Sequence, residues 1–280
     1  MLNYLEFKDA LMAALPNYLP AVYKDWDITS REIVKINGTH EAIHITSPDQ
    51  PGGSPTIYIN ELYAFYQAGH DLVETWRKAA AIFVVGMDYV SNMEVQELDD
   101  LPKDNIIYVL IPQRGNDALL ESAPHRLIMD LALVYRFVME TKEDGINSAI
   151  ITNEMAEAMG LTEDELYQLA EVNTPKLMPL EVRGDGTPFY VLSNEHYIAG
   201  ATTMMYPGVL ASLAKELKRD LFILPSSMQS VFVLPDIGQK AKDMHEIVAS
   251  GNEALEGPEE FLADHAYYYH RKTDQLSIPR

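Results

Sequence analysis

Hydrophobic residues follow short patterns along this chain, and the patterns change often. Leucines at helical spacing predict a helix over residues 4–18, which Pro16 interrupts and Pro20 ends. Residues 28–36 and 39–47 are rich in β-branched side chains and flank Asn37-Gly38, the strongest short-range signal of a β-hairpin. We therefore predict two antiparallel strands within residues 28–47.

The rest of the chain mixes short strand patterns with helix patterns at irregular intervals. Thr162 with Glu165 predicts a capping box for a helix to about residue 171, and Pro175 is expected to close that segment. Further helices are predicted at residues 61–67, 71–81, 153–159, 207–218 and 238–249, and strands at residues 56–59, 105–111, 149–151, 189–192, 201–205, 221–224, 230–234, 266–271 and 276–278. Residues 127–139 fit either a strand or a buried helix, and their β-branched and aromatic side chains favour the strand. Strands joined by short turns, without regular strand–helix alternation, predict an α+β fold with largely antiparallel sheets and interposed helices.

A charged turn at residues 140–145 is the best candidate for an internal boundary. It divides the chain into an N-terminal α+β part, residues 1–144, and a C-terminal α+β part, residues 145–280. A single domain is the alternative, since the turn is too short to be a free linker.

Acidic residues outnumber basic ones by 42 to 21 in this 280-residue chain, which gives a formal net charge of -21. Such a chain repels phosphate, so neither nucleic acid nor an anionic membrane is expected as a direct partner, whereas a basic protein surface would suit it. The absence of cysteine excludes disulfides, thiolate nucleophiles and cysteine-ligated metals. With no export signal and no apolar run long enough to span a bilayer, a soluble cytoplasmic protein is expected.

One motif points to catalysis. His40-Glu41-Ala42-Ile43-His44 matches the H-E-x-x-H pattern, in which a helix sets two histidines around zinc and the glutamate acts as base. On a strand the same spacing separates the histidines by about 13 Å. The preceding Asn-Gly turn favours the strand, with Arg31 and Lys35 on the same face as the histidines, so we expect no bound cofactor.

A metal site assembled through the fold is the alternative to a local one. His40 or His44 could join a distant group such as Glu61, His265 or His270 around zinc. The cluster from His265 to Arg271 is itself interpreted as an aromatic strand at a sheet edge, with Tyr267 and Tyr269 on one face. The sequence contains neither a glycine-rich phosphate loop nor a Gly-x-Ser-x-Gly elbow.

Several short segments resemble an uncharacterised bacterial family, a domain of unknown function from anaerobic Gram-positive bacteria that is often carried on mobile elements. The segments are residues 151–154, 161–167, 173–175, 206–210 and 220–227, with weaker similarity at residues 55–58 and 124–126. The resemblance implies membership of the family and no chemistry. The family pattern asks for a polar turn near Asn37-Gly38 and does not ask for His40 or His44.

Three hypotheses follow for the function. The first is a non-enzymatic acidic protein-interaction or regulatory protein, associated with mobile elements. The second is a metal-dependent hydrolase that uses His40 and His44 as ligands and Glu41 as base. The third is a small-molecule binding domain. The sequence leaves the oligomeric state open.

Overall fold

The computed structural model describes residues 1–47, 54–92, 101–142, 145–184 and 189–280. The chain divides into two compact units. Unit 1 comprises Met1–Lys35 and Thr39–Val95, and unit 2 comprises Ile36–Gly38 and Gln96–Arg280. Within the described residues, no helix is both long enough and apolar enough to cross a membrane.

Unit 1 combines helices with a small antiparallel sheet. Its elements are α1 (Tyr4–Ala14), β1 (Asp27–Lys35), β2 (Gly38–Thr46, whose first residue clusters with unit 2), β3 (Ile57–Tyr58), α2 (Ile59–Gln67) and α3 (Leu72–Asn92). The strands lie in the order β1-β2-β3. Helix α1 begins with a capping box between Asn3 and Glu6, and it buries Phe7 and Leu11 in the unit's core.

The predicted hairpin is present, but its turn lies one residue earlier than the sequence suggested. Strand β1 ends at Lys35 and β2 begins at Gly38, so Ile36 and Asn37 make the turn. Asn37 has the left-handed conformation, with φ of 63°. Asparagine tolerates this conformation better than other non-glycine residues, so the glycine next to it is free to start the strand.

Unit 2 contains two antiparallel sheets with helices around them. The elements after the first 105 residues are β4 (Ile106–Pro112), α4 (Asp117–Ser122), β5 (His125–Ile128), β6 (Leu131–Lys142), β7 (Gly145–Ile150), α5 (Asn153–Ala158), α6 (Glu163–Leu177), β8 (Leu180–Arg183), β9 (Tyr190–Asn194), α7 (Val209–Leu217), β10 (Leu221–Ser227), β11 (Ser230–Pro235), α8 (Ala241–Asn252), β12 (Tyr267–His270) and β13 (Gln275–Ser277). The four-stranded sheet places β6 between β4 on one side and β5 with β7 on the other. The six-stranded sheet has the order β13-β12-β10-β11-β9-β8. The α+β class with antiparallel sheets is confirmed.

The charged turn at residues 140–145 joins two paired strands. Lys142 of β6 pairs with Gly145 of β7, and the pairing continues to Arg136 and Ile150. A hairpin within one sheet does not separate compact units, since its strands share hydrogen bonds and core. Both strands belong to unit 2.

Side chains from neighbouring elements cover the outer edge of β4. The Thr174 hydroxyl of α6 accepts a hydrogen bond from the Tyr108 N–H at 3.0 Å, and the Thr202 hydroxyl accepts one from the Leu110 N–H at 3.0 Å. Asn173 donates to the Ile106 carbonyl at 3.2 Å. These hydrogen bonds satisfy backbone groups of β4 that have no neighbouring strand to pair with.

Two local predictions in unit 2 were wrong. Residues 200–205 form a 3-10 helix instead of a strand. A Cβ on Gly200 would lie 2.2 Å from the Gln229 carbonyl oxygen, so the chain approaches β10–β11 more closely than a strand side chain allows. Pro175 lies inside α6, which continues to Leu177, because Asn173 and Thr174 hold this end of the helix against β4.

Candidate functional site

Strand β2 carries the H-E-x-x-H residues, as the hairpin signal predicted. Successive side chains of a strand point to opposite faces, so His40 and His44 share one face and Glu41 lies on the other. Glu41 is bound by the Lys8 ammonium and by the Tyr4 hydroxyl, whose oxygen lies 2.8 Å away. The Lys8 hydrogen bond holds the pKa of Glu41 below its usual value, although burial opposes the shift. The glutamate is therefore committed to an ion pair on the face away from the histidines.

His44 is buried, and its environment favours the neutral ring. Burial lowers the pKa of His44, and the nearby Arg31 charge lowers it further. His40 stacks edge-on against Tyr58 at 5.8 Å between ring centroids. No group of three or more potential metal ligands occurs among the described residues. Glu61, His265 and His270, the distant candidates, therefore do not form such a group with His40 or His44. The strand does not assemble the geometry that a zinc hydrolase needs.

A cleft of about 420 Å³ opens in unit 2 where three segments converge. They are the end of β4 with the turn that follows it, the β5–β6 turn at Asp130, and residues 261–264. Met129, in the same turn, has a left-handed backbone with φ of 57°, and the Gln113 N–H donates to the Asp130 carbonyl at 2.9 Å. Asp117, Asp130 and Asp264 line the cleft together with Arg114. We call this the acidic cleft.

Two aromatic side chains hold the carboxylates of the acidic cleft in place. The Tyr267 hydroxyl donates to Asp130 Oδ1 at 2.9 Å. The His265 ring lies between the two carboxylates, with Nδ1 at 2.9 Å from Asp264 Oδ1 and Nε2 at 3.5 Å from Asp130 Oδ2. The first distance is a hydrogen bond, and the second is an ion-pair contact longer than a hydrogen bond.

The electrostatics of this arrangement favour a charged His265 beside a charged Asp130. Asp130 raises the pKa of His265, with a smaller contribution from Asp264 and against the effect of burial. For Asp130, burial acts to raise the pKa, but His265 and Tyr267 together hold it below its usual value. Burial and the Asp130 charge raise the pKa of Tyr267, so its hydroxyl remains protonated and keeps donating.

His265 is placed as a bridge and not as a proton donor to a ligand. Nδ1 is used by Asp264, and Nε2 faces Asp130 and is shielded from solvent. The carboxylates themselves remain accessible, with 42% of the Asp130 side chain and 59% of the Asp264 side chain exposed. Arg114 lies 3.9 Å from Asp264 and is itself 87% exposed. The cleft thus offers positioned carboxylate oxygens, which accept hydrogen bonds from cationic groups.

A second polar network joins α6 to the β5–β6 hairpin. Glu163 accepts a bidentate pair from Arg126, at 3.0 Å and 2.8 Å, together with a hydrogen bond from the Tyr135 hydroxyl. The Arg126 guanidinium also lies 3.9 Å from the centre of the Tyr167 ring. Glu163 lines a wider cavity of about 640 Å³ with His125 and Leu161, but its oxygens are already engaged. This network stabilises the fold of unit 2.

The sequence singled out His265 but missed its partners. The aromatic strand is present: Tyr267 and Tyr269 are buried on the core face of β12, and His270 lies on the other face, where it contacts Ser277. Its predicted place at the sheet edge was wrong, because β12 pairs with β10 on one side and with β13 on the other. In the sequence, Asp130 is a charge within the largely apolar residues 127–139, and its contact with Tyr267 spans 137 residues of sequence. No local sequence pattern predicts a contact between residues so far apart in sequence.

A family model described as a family of unknown function, DUF5688, matches residues 4–185 and 184–271. The chain belongs to this family. The matched ranges include Asp130 and Asp264 of the acidic cleft, as well as the β1–β2 hairpin. No match was found among curated proteins or among solved structures. Membership of DUF5688 therefore confirms the resemblance at the level of an uncharacterised family.

Proposed function

We propose that this protein is a non-enzymatic interaction protein whose acidic cleft binds a basic segment of a partner protein. The observation that carries the proposal is the pair of accessible carboxylates, Asp130 and Asp264, fixed on either side of His265. Prepositioned carboxylates bind guanidinium or ammonium groups without first having to be ordered.

The distribution of charge supports this function. Residues 96–280 carry -15 of the formal charge of -21. Residues 253–264, which end in the wall of the cleft, contain five carboxylates and neither lysine nor arginine. A field of one sign around a cleft attracts oppositely charged partners and speeds their association. Such binding to a basic protein would serve a regulatory role on mobile elements, on which the resembled family is often carried.

The hydrolase hypothesis receives no support from the arrangement on β2. His40 and His44 share a strand face, and Glu41 is held on the opposite face by Lys8 and Tyr4. We therefore do not carry zinc or an enzymatic role into the proposal.

Binding of an arginine- and lysine-rich peptide, followed by fluorescence anisotropy, tests the proposal. The full chain should bind this peptide and not a glutamate-rich peptide of the same length. Affinity should fall steeply between 50 and 300 mM salt, since the Debye length shrinks from roughly 14 Å to roughly 6 Å. The variant D130N/D264N should bind about tenfold more weakly or worse, because both positioned charges are lost.

The matched control is D104N/D243N, which removes the same charge from two exposed positions of unit 2 outside the cleft. Equal weakening in both double variants would show that net charge alone drives binding, and the proposal would fail. Tight binding of free arginine, with no gain from a peptide, would replace it with the small-molecule hypothesis. Circular dichroism checks that both variants fold.

A further inference from the structure

In contrast to the acidic cleft of unit 2, the β1–β2 hairpin of unit 1 has a face with basic side chains. His40 and His44 share this face with Tyr58 of β3, because Tyr58 pairs with Ala42 between them. The Lys35 ammonium lies 3.5 Å from the centre of the Tyr58 ring. Arg31 is close enough to His44 to influence its charge. We call Arg31, Lys35, His40 and His44 the basic face.

The side chains of the basic face make no hydrogen bond or ion pair in the part of the chain that the structure describes, although Lys35 and His40 contact the Tyr58 ring. None of the ion pairs there involves Arg31 or Lys35, whereas Lys8 on the opposite face is paired with Glu41. Two ring atoms, His40 Nδ1 and His44 Nε2, are shielded from solvent without a hydrogen-bond partner. His44 as a whole is only 7% exposed. Buried polar atoms are nearly always hydrogen-bonded, and an orphaned pair on one face points to a missing ligand.

We propose that the basic face binds a phosphate group, either free or as an ester. A phosphate oxygen accepts hydrogen bonds from guanidinium, ammonium and imidazole N–H groups, and its charge of between -1 and -2 matches two fixed cations. The same cations oppose a bound metal ion. The proposal concerns unit 1 and is independent of the acidic cleft.

Calorimetry and histidine NMR on the full chain at low ionic strength and fixed pH test the proposal. Inorganic phosphate and O-phosphoserine are the two probes, and acetate is the comparison. We expect saturable binding of at least one phosphate probe and weaker binding of acetate. If O-phosphoserine binds more tightly than inorganic phosphate, the site takes an ester; the reverse order assigns it to the free ion.

The variant R31Q/K35Q should lose about tenfold or more in phosphate affinity, because it removes both fixed charges. Its matched control, K24Q/R77Q, removes one lysine and one arginine from exposed positions of the same unit and should bind like the original chain. Equal loss in both variants would overturn the proposal.

The ring signals of the unsubstituted chain give a second measurement that does not depend on how the variants fold. Signals of His40 and His44 are assigned by the substitutions H40Q and H44Q. They should shift when phosphate is added, with the same dependence on phosphate concentration as the calorimetric binding. Signals of His70 and His196, which lie outside the basic face, should stay constant. Uniform shifts at all histidines, or none at His40 and His44, would refute the site.

Discussion

Removing one hydroxyl from the covered edge of β4 tests the packing of unit 2 most directly. Thr174 is fully buried, and its hydroxyl accepts from the Tyr108 N–H at 3.0 Å while donating to the Ala170 carbonyl at 2.6 Å. Thr174→Val keeps the shape of the side chain and removes the acceptor. The Tyr108 N–H then remains buried without a partner, since β4 has no further strand on this side among the described residues.

The cost follows from the unpaired N–H. A buried donor left without a partner costs about 1–3 kcal/mol, and the added methyl group returns up to about 0.8 kcal/mol. We expect Thr174→Val to destabilise unit 2 by about 1–2 kcal/mol. Thr203→Val is the control, because the Thr203 hydroxyl is equally buried but donates to the Gly200 carbonyl and accepts from no N–H among the described residues. It should cost less than about 1 kcal/mol.

Hydrogen exchange at the Tyr108 amide, together with urea unfolding, measures the effect. A loss of about 1–2 kcal/mol corresponds to about 5- to 30-fold faster exchange where exchange reports opening of this edge. Unfolding midpoints should fall for Thr174→Val while the urea dependence stays the same. If both valine variants behave alike, or if the Tyr108 amide exchanges as slowly as before, the Thr174 hydroxyl does not stabilise this edge in the way we infer.

Two further predictions concern the pH dependence of stability. Burial opposes ionisation of Glu163, but Arg126 and Tyr135 hold its folded pKa below the ordinary 4.5. Stability should therefore fall as pH drops below about 4.5 and through the folded pKa. Glu163→Gln should reduce this loss of stability in acid, measured as the urea midpoint at each pH. Asp130 raises the folded pKa of His265 above 6.5, so its contribution is complete below about pH 6.5 and disappears as pH rises through the folded pKa. His265→Gln should remove that loss, and a variant profile parallel to the original would contradict the bridge.

Local signals predicted the elements that depend on neighbours in sequence. The capping box of Thr162 and Glu165 is present. The strands predicted at residues 221–224 and 230–234 are also present, as the antiparallel neighbours β10 and β11 joined by Met228 and Gln229. The prediction was wrong where tertiary contacts override local preference. A strand was predicted at residues 201–205, but Gly200 allows close approach to Gln229 and residues 200–205 form a 3-10 helix.

The candidate site was less predictable than the fold, because its residues come from separate segments. Asp130 lies in a strand turn, and its partners His265 and Tyr267 lie more than 130 residues later. His40 and His44 show the opposite behaviour. They are close in sequence and form a recognisable motif, but the strand holds their side chains apart. On a strand, the spacing of this motif does not bring both histidines to one ion as it does on a helix.

The composition of unit 2 has a consequence for synthesis in the cell. The unit takes in Ile36–Gly38, and the Asn37 amide donates to the Phe261 carbonyl at 2.7 Å across 224 residues of sequence. A ribosome adding about 5–20 residues per second needs roughly 10–45 s to cover that interval. Asn37 is synthesised early, and its hydrogen-bond partner Phe261 follows only after that interval. Unit 2 therefore cannot complete its fold until translation has passed Phe261.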